Sequence, residues 1–132
     1  KALQWTVDHL YREGDHIYIT LSLDNTSWAS LGAAGAAVDV LQQLRDEAID
    51  AAETTLKTYG KLLTSKKIPH TCELAQGDPR TQLCQFVNDK QCAMLVVGSR
   101  GMGAIKRALI GSVSDYCVHH SDIPVIVVKE DA

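Results

Sequence analysis

The sequence has few aromatic residues, few prolines and no long apolar run. Phe, Trp and Tyr make up 5% of its 132 residues, and three residues are proline. The longest apolar runs, at 93–98 and 124–128, have the length of a β-strand, whereas a helix that crosses a bilayer needs about 20 apolar residues. We therefore expect no membrane-spanning segment. A chain of this length is long enough to bury a hydrophobic core as a single domain, 1–132.

A charge excess and a metal-binding cysteine spacing are also absent. Thirteen Lys and Arg against sixteen Asp and Glu give a net charge of −3, which argues against general binding to nucleic acid or anionic membranes. The four cysteines lie 12, 8 and 25 positions apart, with no Cys-x-x-Cys pair. A metal or redox motif is therefore unsupported. We expect packed, reduced thiols in a cytoplasmic protein.

The spacing of apolar residues predicts alternating helices and strands. Helices are predicted at 3–11, 38–63, from 79 onward and at 112–120, and strands at 16–23, 68–75, 93–97 and 124–128. Asp78 is the predicted N-cap of the third helix, and Gly60 is predicted to fray the end of the second. Residues 24–37 are crowded with Ser, Gly and Ala and predict a flexible loop. The alternation predicts a doubly wound α/β domain with a parallel sheet.

One glycine-rich segment lies between a predicted strand and a predicted helix. Gly98, Gly101 and Gly103 allow close backbone approach, and Gly111-Ser112 offers N–H groups at a helix start, whose dipole favours phosphate. Positive charge in the loop comes from Arg100, Lys106 and Arg107. The glycines match neither the Walker A nor the dinucleotide fingerprint. Phosphate binding and a plain turn with a solvated basic face both remain open on this pattern.

The spacing Gly98-x-x-Gly101, nine residues, then Gly111-Ser112 resembles the loop of the universal stress protein family. The flanking residues 95–97 and 124–129, and the first helix, are also similar to that family. The resemblance implies strand order 3-2-1-4-5 and binding of ATP, ADP or AMP with Mg²⁺. It further implies a homodimer that acts in stress responses.

The resemblance carries site residues over to this chain. Gly98 and Gly101 would contact ribose and phosphate, while Gly111, Ser112 and Val113 would cradle the triphosphate. Ser22 would border the adenine. The full set of expected nucleotide-binding residues is Ser22, Val97, Gly98, Arg100, Gly101, Met102, Gly103, Gly111, Ser112 and Val113. For Met102 the alternative is that it fills a hydrophobic gap.

The family's first strand is missing from this sequence, which opens on a helix. The strand would lie between those predicted at 16–23 and 93–97, and without it their edges would be unpaired. An Asp of that strand, which contacts the adenosine end, is missing as well. We therefore expect that the natural chain begins earlier or that a swapped element replaces this strand.

Three functions follow as alternatives. The first is a regulatory ATP-binding module. The second is a slow ATPase or nucleotide-processing enzyme, although no catalytic constellation can be placed on common strand ends. The third is a dimerising adaptor without nucleotide. In each case we expect a homodimer through the edge strand at 124–128, which begins at Pro124 and ends at Val128.

Overall fold

The computed structural model describes residues 2–23, 31–35, 37–99 and 111–129. In chain order the elements are α1 (Ala2–His9), β1 (Ile17–Leu23), α2 (Val38–Ser65), β2 (His70–Gln76), α3 (Pro79–Asp89), β3 (Leu95–Gly98), α4 (Ser112–His120) and β4 (Val125–Val128). This is the predicted order of helices and strands. The chain divides into two compact units: the continuous unit, Gly14–Gln82, and the split unit, which joins Lys1–Glu13 to Leu83–Ala132.

In the continuous unit, the long helix α2 packs on a parallel strand pair. β1 and β2 pair in register from Ile17 opposite His70 to Leu23 opposite Gln76. Three apolar side chains on one stripe of α2 are buried, namely Ala52, Leu56 and Leu63. The Cys72 thiol of β2 lies 3.7 Å from the Leu56 carbonyl oxygen. Apolar burial between α2 and the strands therefore holds this unit together.

The prediction that Gly60 frays α2 is wrong. The helix continues through Gly60 to Ser65. A methyl group at Gly60 would lie 3.5 Å from His70 Nε2 and 3.6 Å from Cys72 Sγ, so the glycine backbone faces β2 at close range. Packing against the strand outweighs the low helix propensity of glycine.

In the split unit, β3 and β4 pair in parallel register from Leu95 opposite Val125 to Gly98 opposite Val128. The core that they share with the helices is formed by four buried side chains: Val87, Leu95, Val97 and Cys117. Cys117 of α4 is completely buried there. Because a core residue anchors α4 at its middle, the position of the helix start relative to β3 is constrained.

Among the described residues, the strands form two separate two-stranded sheets, β1–β2 and β3–β4. These correspond to the 3-2 and 4-5 pairs of the predicted strand order 3-2-1-4-5. No described strand corresponds to strand 1 of that order. The parallel pairing and the alternation with helices make this an α/β fold, as predicted.

Part of the chain lies outside the described residues. Of the predicted flexible loop at 24–37, residues 24–30 and residue 36 lie outside the described residues. Residues 31–33 form a helical turn. In the described part of the chain, no helix has both the length and the apolar character that a membrane span requires.

Candidate functional site

The candidate site is built where β3 ends and α4 begins, in the split unit. The Gly111 amide donates a 2.7 Å hydrogen bond to the carbonyl oxygen of Ser99. Residues 100–110, which connect these two positions, lie outside the described residues. The expectation that Gly111 offers an unengaged N–H group is therefore wrong, because that group is already bonded to the residue that follows β3.

The first turn of α4 supplies the backbone donors of the site. The first bond of the helical pattern runs from the Asp115 amide to the Gly111 carbonyl oxygen, at 2.9 Å. The amides of Ser112, Val113 and Ser114 precede that bond and have no acceptor within the helix. Gly111 is the N-cap and contributes no side-chain cap. The helix start thus offers donors to an external acceptor, and its dipole favours an anion there.

Gly111 is required by close packing rather than by its backbone angles. Its φ of −69° is one that any residue adopts. A methyl group at this position, however, would lie 2.8 Å from the Ser99 carbonyl oxygen. No side chain fits between the helix start and the end of β3.

Two buried serines belong to this site, and the sequence reasoning missed both. The Ser114 hydroxyl donates a 2.6 Å hydrogen bond to the carbonyl oxygen of Gly98. Ser114 is 2% exposed and Ser99 is 4% exposed, so both are polar residues enclosed by protein. The available signal was the hydroxyl residue two positions after Ser112, in the first turn of the predicted helix.

The structure brings together some of the expected nucleotide-binding residues. Val97 and Gly98 end β3, and Val97 is buried in the core. Beside that strand end lie Gly111 and Ser112, followed by the half-buried Val113. The others of the split unit, Arg100, Gly101, Met102 and Gly103, lie outside the described residues.

Ser22 lies in the continuous unit, near the carboxyl end of β1. Its hydroxyl donates a 3.1 Å hydrogen bond to the carbonyl oxygen of Gly77, whose amide in turn donates to the Leu23 carbonyl oxygen at 2.7 Å. Gly77 has a φ of +135°, which favours glycine. These bonds fix the backbone at the carboxyl end of β1 and β2, the edge where open α/β sheets bind ligands.

Asp78 caps α3 as predicted. Its Oδ1 accepts a 3.0 Å hydrogen bond from the Arg80 amide, and its Oδ2 lies 3.0 Å from Arg80 Nη2. The hydrogen bonds from the Arg80 side chain, followed by the bond from its amide, hold the pKa of Asp78 below its usual value. The carboxylate is therefore the favoured form at this cap.

The four cysteines are free thiols in partly or fully buried surroundings. Burial raises the pKa of Cys117 to about 11, and the neighbouring Cys84 thiol adds to that increase. Burial also raises the pKa of Cys72 and of Cys92. The thiols of Cys72, Cys92 and Cys117 are therefore poor nucleophiles at neutral pH, since the thiolate is the reactive form.

Within the described ranges, no three His, Cys, Asp or Glu side chains are grouped as metal ligands. An open groove of about 600 Å³ lies between α1 and β4 and is lined by Trp5, His9 and Lys129 among others. It contains none of the expected nucleotide-binding residues.

Comparison with known proteins identifies the family. The profile of the universal stress protein family matches residues 1–129. Universal stress protein PHOS34 of Arabidopsis thaliana is 34% identical over 97% of this chain, and PHOS32 of the same plant is 33% identical over 97%. The chain spans 56% and 58% of the lengths of these two relatives.

Solved structures share the fold. The hypothetical protein MJ0577 superposes with a TM-score of 0.83 at 19% identity, covering 99% of this chain and 87% of its own. The universal stress protein family protein At3g01520 of Arabidopsis thaliana, solved with AMP bound, gives a TM-score of 0.71 at 23% identity, covering 99% of this chain and 77% of its own. The fold is thus shared with these proteins, and the family profile, which matches residues 1–129, shows that the chain belongs to the universal stress protein family.

Proposed function

We propose that this chain is a regulatory module of the stress response that binds an adenine nucleotide: ATP, ADP or AMP. The observation that carries the proposal is the start of α4, where Gly111 leaves no room for a side chain and the amides of Ser112 and Val113 lack an acceptor within the helix. This is a site for the phosphate tail. Mg²⁺ would accompany the nucleotide and would be bound by the phosphate oxygens.

The residues at this site fit a phosphate group. Backbone N–H groups at a helix start bind anions because they combine hydrogen-bond donors with the positive end of the helix dipole. Ser112 is exposed, so its hydroxyl is accessible to a ligand. Gly98 places a residue without a side chain at the end of β3, where a ligand can approach the backbone.

The comparisons support an adenine nucleotide as the source of that phosphate. At3g01520, which shares the fold, was solved with AMP bound. In this chain, the glycine and serine spacing that resembles the family's nucleotide loop coincides with the helix start described above.

The acidic residue in the first turn of α4 is Asp115, and its surroundings favour nucleotide binding over rapid hydrolysis. Asp115 is exposed, and its Oδ1 lies 3.5 Å from Nδ1 of His119 on the same helix. A general base must lie within hydrogen-bond reach of the water that it activates, and the described side-chain contact of Asp115 is with His119. The nucleotide would thus act by stabilising one conformation of the chain.

Calorimetric titration of the purified chain with ATP, ADP, AMP and adenosine tests the proposal. We expect saturable binding of the nucleotides and weaker binding of adenosine, which has no phosphate. Measurement of phosphate release over the same period distinguishes a binding module from a slow ATPase. If none of the four ligands binds, the proposal is wrong and an adaptor without nucleotide becomes the better description.

A homodimer through the edge strand is part of the proposal. β4 pairs with β3 on one side, and no other described strand pairs with it. The apolar side chains Val125 and Val127 pack against the core. The backbone edge of β4 away from β3 has no described strand partner, and we propose that it pairs with a second copy. Sedimentation velocity at micromolar concentration should show a dimer. A single monomeric species would contradict this part.

A further inference from the structure

The buried hydroxyl of Ser114 donates its hydrogen bond to a residue outside its own helix. A serine inside a helix commonly donates to a carbonyl oxygen three or four residues earlier in the same helix. Ser114 instead donates to the Gly98 carbonyl oxygen, 16 residues earlier and on a different element, at 2.6 Å. The residue is 2% exposed, so water does not compete for this bond.

A second bond parallels the first. The Gly111 amide donates to the Ser99 carbonyl oxygen at 2.7 Å, and the Ser99 amide donates to the Val128 carbonyl oxygen at 2.9 Å. The carbonyl groups of Gly98, the last residue of β3, and of Ser99, which follows it, therefore accept bonds from Ser114 and from Gly111. Hydrogen bonds from Gly111 and from Ser114 therefore hold both ends of the first turn of α4 against the carboxyl end of β3.

The residues between these two bonds are the proposed phosphate donors. Ser112 and Val113 lie between Gly111 and Ser114, and their amides have no acceptor within the helix. Donors that are already held in place bind a ligand more tightly, because less conformational freedom is lost on binding. Movement of the first turn would cost affinity even with every donor still present.

We propose that Ser114 is a positioning residue for the phosphate tail: its hydroxyl bond to Gly98 holds the amides of Ser112 and Val113 in one orientation at the end of β3. This inference rests on the proposed function. Ser114 acts through its neighbours, since its own hydroxyl is committed to the Gly98 carbonyl oxygen.

The test compares Ser114→Ala with Ser114→Thr and Ser114→Cys. The control is Ser65→Ala, which also removes a 2.6 Å hydroxyl bond to a carbonyl oxygen, that of Leu62, but at the far end of α2. Affinities for ATP, for inorganic tripolyphosphate and for adenosine are measured by calorimetry, and stability is measured by urea unfolding.

We expect Ser114→Ala to weaken ATP and tripolyphosphate binding by about tenfold each, the order of one hydrogen bond. Adenosine binding should change little. Ser114→Thr, which keeps the hydroxyl, should restore most of the affinity, and Ser114→Cys, with its weak S–H donor, should lie between. Ser65→Ala should bind as the wild type does.

The contrary outcomes are distinct. If Ser114→Ala lowers stability but binds tripolyphosphate with wild-type affinity, Ser114 is purely structural and the inference is overturned, while the proposed function stands. If the wild-type chain binds neither ATP nor tripolyphosphate, both fail. If Ser114→Ala does not fold, the comparison of Thr with Cys decides, and equal affinities in these two variants overturn the inference.

Discussion

The Gly111 amide and the Ser99 carbonyl oxygen meet at 2.7 Å, and the same oxygen would lie 2.8 Å from a methyl group at Gly111. Contacts of a Cβ atom below 3.0 Å are essentially never observed, so something must shift when a side chain is added. The neighbour in this case is backbone, which cannot rotate away as a flexible side chain can. The hydrogen bond and the glycine are therefore two consequences of one close approach.

Gly111→Ala should weaken ATP binding by at least about tenfold and lower the free energy of unfolding by about 1–3 kcal/mol, because the helix start must move away from Ser99. Calorimetry and urea unfolding measure the two effects. The matched control is Gly60→Ala, which adds the same methyl group in the continuous unit. Wild-type ATP affinity in Gly111→Ala would contradict the placement of the phosphate site.

Gly60→Ala should stabilise the chain by about 0.5–1 kcal/mol, since alanine favours helix and the added methyl would make ordinary contacts of 3.5 Å or more with His70 and Cys72. Urea unfolding of the two proteins in parallel measures the change. A lower free energy of unfolding in Gly60→Ala would mean that β2 lies too close to α2 to accept the methyl group, contrary to these distances.

Cys117 should make the chain less stable as the pH rises above about 9. Its pKa is about 11 in the folded chain against 9.0 for an unperturbed thiol, so in this range the unfolded state loses the proton first and unfolding is favoured. Between pH 8 and pH 10 this contribution lowers the free energy of unfolding by about 1 kcal/mol.

The measurement is urea unfolding at both pH values for the wild type and for Cys117→Ala. Removal of the buried thiol leaves a cavity, so Cys117→Ala has a lower free energy of unfolding than the wild type at pH 8. The decrease in that free energy between pH 8 and pH 10 should be smaller in the variant. An equal loss in both proteins would show that the Cys117 proton is not responsible.

Arg80→Ala should raise the pKa of Asp78 toward its usual value, because the side-chain hydrogen bonds of Arg80 are the main cause of the decrease. A carboxyl pKa that folding lowers contributes stability above the unfolded value of 3.8, and that stability is lost as the pH falls through the folded value. The variant should therefore lose less stability than the wild type on acidification below pH 4.

Carbon NMR titration of the Asp78 carboxyl group follows this pKa directly. Arg45→Ala serves as the control, since Arg45 donates its 2.6 Å bond to Gln76 rather than to Asp78. An Asp78 titration midpoint that is the same in the wild type and in Arg80→Ala would refute the assignment.

The sequence was sufficient for the order of the elements and for several of their ends. α4 begins at Ser112 and ends at His120 as predicted, and α3 begins with Asp78 as N-cap and Pro79 as its first residue. These features depend on local chemistry: apolar periodicity, a capping carboxylate and the fixed φ of proline. Local signals of this kind are readable without tertiary structure.

The details of the candidate site could not be read in the same way. The bonds from Gly111 to Ser99 and from Ser114 to Gly98 join residues 12 and 16 positions apart, and no periodicity marks them. The error at Gly60 has the same origin, because contact with β2 decides whether the helix continues. Such features arise when distant segments pack together, which a single sequence does not encode locally.

The peptide groups on either side of the Ser99 α-carbon are shared by two neighbours: the carbonyl accepts from Gly111, and the amide donates to Val128. Any substitution that tilts this short stretch of backbone disturbs the helix start and the last rung of the β3–β4 ladder together. A substitution at Ser99 should consequently impair both ligand binding and the pairing of β4 with β3. A substitution at Gly111 or at Val128 can impair only one of the two.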